Sequence, residues 1–203
     1  MNEGLWQDYW TVGGRAAAIM TYLRRVLASE LCRYFRQRVE PSGGATRALE
    51  AGCGSAIVSE MLSARGWYCV GLDYEQTAVD VARRVAPRVR MIQGDLYQPC
   101  FRDGAFDLVW SNSTLEHLPE PVRVLREMAA VCRSRGAVFI GVPYTYGPLA
   151  VFKLKRRSFW GAWDGTTYSR KGLVDLFAAA GLEVVDHRFF FGRSFIGVMG
   201  RKS

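Results

Sequence analysis

From Arg47 to the end of the chain, short apolar runs alternate with segments whose apolar residues recur every three or four positions. No other feature restricts the fold as much. Strand-like and helix-like segments in strict alternation make right-handed βαβ crossovers, which build a parallel sheet covered on both faces. The expected strands are Arg47–Ala51, Trp67–Leu72, Val89–Gln93, Phe106–Trp110 and Ala137–Val142. Helices are expected at about Ile57–Arg65, at Thr77–Ala86 before Pro87, from Pro121, and at Lys171–Ala180 before the C-capping Gly181. Two last runs, Glu183–Phe191 and Phe195–Arg201, are separated only by GRS, which suits a hairpin. The expectation is a doubly wound α/β domain: a mostly parallel seven-stranded sheet with a C-terminal antiparallel hairpin.

Ahead of this alternation, residues 1–13 show no period but contain Trp6, Tyr9 and Trp10. From Gly14 to about Arg38 the residues Met20, Leu23, Leu27, Leu31, Tyr34 and Phe35 mark an amphipathic helix, which EPSGG (Glu40–Gly44) ends. The chain has 203 residues, 49% hydrophobic and 23% charged, a globular balance that excludes wholesale disorder. No apolar run approaches the ~20 residues of a membrane span. The start, MNEGLWQDYW, lacks the basic and apolar order of a secretory signal. Cys32, Cys53, Cys69, Cys100 and Cys132 form no ligand or redox pattern and read as reduced thiols. A cytoplasmic location is expected. The net charge is +8, and Lys153, Lys155, Lys171 and Lys202 are the only lysines. Such an excess permits an acidic partner (nucleic acid, a phosphorylated molecule or an anionic membrane) but is not itself a site.

In open α/β sheets ligands bind at the carboxyl ends of the strands, where the strand order reverses. The segment ALEAGCGSA (Ala48–Ala56) lies at such an end. Gly52 and Gly54 permit a tight turn whose N–H groups approach a ligand, and the next helix aims its positive end at the same spot. Ile57 stands where the dinucleotide spacing GxGxxG needs a small residue, so GxGxG fits better, with Ala56 in the third place. Glu50 would repel a phosphate and attract an ammonium or sulfonium. Asp73, 23 residues further on, suits two ribose hydroxyls. Asp95, in GD after the third strand, is placed to accept from an exocyclic amine. Alone, each is as well explained by a turn or a helix cap. Together they describe a cation, a ribose and an adenine, all of which S-adenosylmethionine carries.

Over Arg47–Lys202 the sequence resembles the class I S-adenosylmethionine-dependent methyltransferases, with a Rossmann-like fold, and most of all the small type that includes the ubiquinone/menaquinone-biosynthesis methyltransferases. The resemblance implies that Glu50 and the loop of Gly52, Cys53 and Gly54 hold the methionine part of the cofactor. It implies further that Asp73 meets the ribose and Asp95 and Leu96 the adenine, with Tyr74 also against the cofactor. FDLVWSNSTLEHLPEP (Phe106–Pro121) looks like the family's fourth-strand segment, which puts Ser111 and Asn112 against the cofactor and His117 beside the methyl-transfer pocket. GVPY (Gly141–Tyr144) resembles the fifth-strand exit and adds Tyr144 as a second candidate catalytic residue. Ala56 departs from the family's third glycine. No metal is implied, and S-adenosylhomocysteine would be the product.

The implied division is an N-terminal helical extension over 1–45, serving as a lid or as a cap on the sheet, and a cofactor-binding domain over 46–203. Residues 143–170 are a substrate-side insertion, too long for a plain connection. Its Tyr144, Tyr146, Phe152, Phe159, Trp160 and Trp163 accompany Lys153, Lys155, Arg156 and Arg157. Three readings stay open: contact with an anionic membrane, a wall for a hydrophobic or phosphate-bearing acceptor, or aromatics packed on the sheet beside solvated charges. The expected function is methyl transfer by in-line displacement to a small-molecule or lipid-like acceptor. The alternatives are a non-catalytic cofactor-binding scaffold or partner subunit, and an RNA-binding methyltransferase. SNST after the fourth strand lacks the Asn/Asp-Pro-Pro-Tyr motif of base methylation, which argues against DNA, and no RNA-binding module is visible.

Overall fold

A computed structural model of the chain describes residues 15–40, 43–148, 150 and 165–202, with side chains from Tyr22 onward. The elements are α1 (Arg15–Arg38), β1 (Arg47–Ala51), α2 (Ile57–Ser63), β2 (Tyr68–Asp73), α3 (Gln76–Val85), β3 (Arg90–Gln93) and β4 (Phe106–Asn112). A single 3-10 turn, Leu115–His117, precedes α4 (Pro121–Val131), β5 (Cys132–Pro143), α5 (Arg170–Ala179), β6 (Leu182–Phe190) and β7 (Phe195–Lys202). Pro121 opens α4 in the first turn, where its missing N–H costs nothing. At α5, Ser169 Oγ accepts from the Gly172 N–H at 3.0 Å, and Gly181 takes the left-handed conformation just beyond the helix, with φ +78°.

The seven strands lie in the order β3-β2-β1-β4-β5-β7-β6. β1 to β5 pair in parallel, and β7 runs antiparallel to both β5 and β6. The expected hairpin is therefore present, with its second strand inserted against β5 and its first left at the edge. Polarity explains the placement. FIGVMG in β7 is apolar throughout and buried on both faces, whereas β6 alternates with charged residues that an edge leaves in water. β5 also starts five residues earlier than the sequence suggests. Phe106 of β4 pairs with Cys132 but Leu108 pairs with Ala137, so residues 133–136 loop out of register.

Alternate residues of each strand enter two apolar layers. α1, α2 and α3 cover the face that carries Ala48, Leu108, Trp110 and Phe139. α4 and α5 cover the face that carries Leu49, Val109, Val138 and Ile140. α1 belongs to the core. Phe35 is completely buried, its ring 5.2 Å from Trp110 and 5.0 Å from Phe139, centroid to centroid. Tyr34 OH donates to Asp186 on β6 at 3.1 Å, and Arg38 Nε meets the same carboxylate at 2.7 Å. Glu30 accepts from the Phe191 N–H at 2.8 Å, in the turn between β6 and β7. No helix among the described residues is long and apolar enough to cross a membrane.

Between β1's two neighbours, β2 and β4, the strand order reverses, and the carboxyl ends of these three strands frame a crevice. Because Phe35 locks α1 onto the sheet beneath it, Phe35→Ala should cost about 3–5 kcal/mol in urea unfolding. A loss below about 1 kcal/mol would mean that α1 docks loosely.

Candidate active site

The loop after β1 is built from three left-handed residues. Gly52 has φ +70°, Gly54 φ +49° and Ala56 φ +52°. The GxGxA spacing thus records a backbone that turns left-handed at every second residue, at a cost of about 1–2 kcal/mol for the one residue that bears a Cβ. Gly52 and Cys53 both donate their N–H to the Leu72 carbonyl oxygen, at 2.8 and 3.1 Å, and the Gly54 N–H goes to Asp73 Oδ2 at 2.8 Å. These amides hold the loop to the end of β2 and are not presented to a ligand, which corrects the expectation drawn from the glycines.

The helix terminus is also occupied. Ala56 offers α2 no side-chain cap. Ser59, in the first turn, donates its hydroxyl and its N–H (3.3 Å) to Glu50 Oε2. Glu50 is therefore the remote cap of α2, and the positive helix end serves the protein's own carboxylate and not a ligand's phosphate. Burial pushes the Glu50 carboxyl up to about 8, against the two Ser59 hydrogen bonds. Oε1 of Glu50 has no partner among the described residues.

Asp73 closes β2. Besides Gly54, it accepts the Glu75 N–H at 3.0 Å, while burial raises its pKa against these bonds. Its neighbour Tyr74 is exposed. Beyond β3, Asp95 is exposed and folds back on the Tyr97 N–H at 2.9 Å, with Leu96 buried behind it. Burial drives the Cys53 thiol well above its ordinary value, so it is no nucleophile at neutral pH.

At the end of β4, Ser111 is buried and its Oγ has no hydrogen-bond partner among the described residues. Asn112 bonds Ser113 Oγ at 3.1 Å, and its Oδ1 would lie 2.3 Å from a Cβ on Gly141. The chain then doubles back, and Thr114 Oγ1 donates to the Gly52 carbonyl oxygen at 3.2 Å. A Cβ on Gly52 would meet both Thr114 Cγ2 and Oγ1 at 2.4 Å. Thr114 and Ser59 hold the site together, and the sequence reading missed both; Ser59 lies nine residues from Glu50, a spacing with no local meaning.

The 3-10 turn buries Glu116 and nearly buries His117, with His117 Nε2 3.9 Å from Glu116 Oε1. The Glu116 carbonyl oxygen accepts from the Thr166 N–H at 2.8 Å, which brings residues 165–168 to this turn. Tyr168 bridges to Tyr144, and its hydroxyl pKa is raised by burial and then by the Glu116 charge. The Tyr144 ring lies 4.8 Å from Phe189 and 5.7 Å from Tyr146. His117 and Tyr144 thus belong to one wall, to which the structure adds Glu116 and Tyr168. Trp6, Tyr9 and Trp10, and the insertion's Phe152, Lys153, Lys155, Arg156, Arg157, Phe159, Trp160 and Trp163, lie outside the described residues. His187 is exposed on β6, 3.3 Å from Arg170.

Residues 49–140 match a family model described as a methyltransferase domain. Two of the fold's likenesses span nearly all of the chain. One is to magnesium protoporphyrin IX methyltransferase from Synechocystis, solved with bound SAH (S-adenosylhomocysteine): TM-score 0.77, 15% identity, 100% of this chain and 95% of that one. The other is to an S-adenosylmethionine-dependent methyltransferase from Thermotoga maritima: TM-score 0.73, 18% identity, 93% and 95%. The chain is thus similar, in sequence over residues 49–140 and in fold, to the S-adenosylmethionine-dependent methyltransferase family. In sequence, it is 32% identical over 114 residues to a "probable S-adenosylmethionine-dependent methyltransferase" of Mycobacterium tuberculosis, covering 55% of the chain and 42% of the relative. It is 26% identical over 137 residues to a ubiquinone biosynthesis O-methyltransferase of Coxiella burnetii, covering 66% and 56%. The chain spans about half the length of these curated relatives.

The site suits the cofactor of this family. Partnerless Ser111 Oγ and Glu50 Oε1 are acceptors at the edge where the ammonium and sulfonium of the methionine moiety would lie, and the occupied α2 terminus leaves no phosphate cradle. Two outcomes follow. Gly52→Ala should weaken S-adenosylmethionine binding tenfold or more in calorimetry, and Thr114→Gly added to it should restore part of the loss, since the clash goes and the φ strain stays. Glu50 gives a pH signature. Its raised pKa means that the folded protein holds this proton more tightly than the unfolded chain, so its contribution to stability falls as pH rises from 4.5 towards 8. A cationic ligand favours the ionised form, so binding should release a proton, and affinity should climb by up to about tenfold per pH unit below 8. Glu50→Gln should flatten that slope, and an equally steep slope in the variant would place the titration elsewhere.

Proposed function

We propose that the chain is an S-adenosylmethionine-dependent methyltransferase that methylates a hydroxyl group of a small-molecule or lipid-like acceptor. The observation that carries this reading is the buried Glu116–His117 pair, 3.9 Å apart on the turn that follows Ser111 and Asn112. Bound S-adenosylmethionine supplies a methyl group activated by an adjacent sulfonium charge.

The residues divide the remaining work. Glu50 Oε1 meets the ammonium. Asp73 keeps acceptor capacity for the ribose, since a carboxylate has about four lone-pair sites and the N–H groups of Gly54, Glu75 and Tyr74 do not use them all. Asp95 takes the adenine amine, Leu96 lies under the ring, and exposed Tyr74 flanks it. The Gly52–Gly54 loop sets the depth of the site, with Cys53 contributing backbone only. His117 accepts the proton of the acceptor hydroxyl, and the Glu116 carboxylate stabilises the imidazolium that results. Tyr144, Tyr168 and Phe189 form an apolar wall that aligns an aromatic or prenylated acceptor and keeps water away. The O-methyltransferase name of the Coxiella relative supports a hydroxyl acceptor.

Calorimetric titration with S-adenosylmethionine, S-adenosylhomocysteine and NAD tests the cofactor half of this reading: micromolar binding of the first two and none of NAD is expected. Labelled methyl transfer to a panel of phenols and catechols tests the other half. His117→Ala should lower kcat by about 10²-fold or more, erase the basic rise of the pH–rate profile, and leave cofactor affinity unchanged. Full turnover in that variant would exclude a general base at this position.

A further inference from the structure

The opposite edge of the sheet contains a second cavity. It is a half-open hollow of about 260 Å³ between the C-terminal end of α1, the start of β4, the out-of-register start of β5 and the end of β7, with Arg135 exposed at its rim. Four of its lining residues are arginines: Arg38, Arg133, Arg135 and Arg201. The acids among the lining residues are Glu40 and Asp107.

Two of the arginines are committed. Arg38 Nε pairs with Asp186 at 2.7 Å, and Arg133 Nε pairs with the buried Asp107 at 2.7 Å. Arg133 also donates to the carbonyl oxygens of Glu40 (3.2 Å) and Ser134 (3.0 Å). Asp107 Oδ2 takes the Arg47 N–H at 2.8 Å, and Arg47 Nε lies 3.6 Å from it. Arg135 and Arg201 make no hydrogen bond or ion pair among the described residues. The Nε of Arg201 is buried without a partner, although Glu183 stands opposite Arg201 across the β6–β7 pair. A buried donor left unmet is costly, and most such atoms in folded proteins have a partner.

Arg135 is also in an unusual place. Its φ of +59° is left-handed, which a residue bearing a Cβ adopts only when its surroundings require it. They require it here: a Cβ on the next residue, Gly136, would lie 2.6 Å from Cys132 Sγ and 3.0 Å from the Asp107 carbonyl oxygen. The turn is jammed against β4, and Arg135 lines the cavity from it.

We propose that this cavity binds a phosphate-class anion, a phosphate monoester or a diphosphate group, between Arg135 and Arg201. The guanidinium forks of both are uncommitted and match phosphate oxygens in pairs. With Arg47 and Glu183 counted, five guanidiniums face the carboxylates of Asp107, Asp186, Glu40 and Glu183, which leaves an excess of positive charge for an anion to match. The volume equals about eight or nine liquid waters, enough for one or two phosphate groups and little more. The site lies at the amino ends of the strands whose carboxyl ends form the cofactor crevice, so the two do not overlap.

The test is calorimetric titration with inorganic phosphate and with pyrophosphate at constant ionic strength, with and without saturating S-adenosylmethionine. One saturable pyrophosphate site with a Kd below about 1 mM, unchanged by the cofactor, is expected. Arg201→Gln and Arg135→Gly should each weaken it about tenfold or more and leave cofactor affinity unchanged. Arg135→Gly should in addition raise Tm, because glycine removes the φ strain, so it decides the matter even where Arg201→Gln folds poorly. No saturation by about 10 mM, binding that survives both substitutions, competition by S-adenosylmethionine, or a response to RNA oligonucleotides alone would each overturn the proposal.

Discussion

The carboxyl edge of this sheet depends on one buried hydrogen-bonded group, the Glu50 carboxylate under the first turn of α2. α2 starts from a left-handed alanine that cannot cap it, so its open N–H groups need an acceptor from elsewhere. Glu50 supplies one, and Ser59 in turn satisfies one oxygen of a carboxyl that would otherwise be buried alone. The chemistry of the crevice follows. A helix end that would have drawn phosphate is occupied from inside, and the oxygen left over is open to a cation whose approach favours the ionised carboxyl. With Asp73 at the next strand end, the crevice selects for positive charge and for hydroxyl donors in a chain whose net charge is +8.

The same arrangement explains why the glycine loop is rigid without gripping a ligand. Its amides are fastened to Leu72 and Asp73, and Thr114 closes over Gly52 from the β4 side. Asp73 therefore has two tasks, to pin the loop and to keep lone pairs open. A side chain that held the ribose but could not accept from Gly54 would release the loop. β1, β2 and β4 are thus joined at their ends as well as along their ladders, and the crevice exists before any ligand arrives.

The alternation that fixes the crossovers is written in periods of two and three to four, so five parallel strands, their helices and the closing hairpin were legible from the chain alone. What escaped has a common character. The insertion of β7 inside β6 is a contest between two strands for one partner, decided by the polarity of Glu183, Asp186 and Arg188. The early start of β5 rests on a register shift that no local pattern encodes. At the site, the acids and glycines stood out because their spacing follows strand ends. Ser59, Thr114 and Glu116 did not, because each matters through a contact made only when separate elements meet. The destination of the loop amides was misjudged for the same reason: flexibility is local, whereas the acceptor that uses it comes from β2.

Charge is sorted along the strand axis by the fold and not by the sequence, in which acids and arginines are interleaved. α1 ties the two edges together. Glu30 holds the β6–β7 turn at the carboxyl edge, and one and two turns later Tyr34 and Arg38 hold Asp186 within β6, with Arg38 reaching the arginine-lined cavity. Eight residues of helix span about 12 Å, roughly four residues of strand, so Glu30, Tyr34 and Arg38 track β6 as it descends from Phe191 past Asp186. The helix continues for fifteen residues before Glu30, about 22 Å of further rise beyond the β6–β7 turn. An element braced in this way cannot tilt at one edge without straining Phe35 against Trp110 and Phe139.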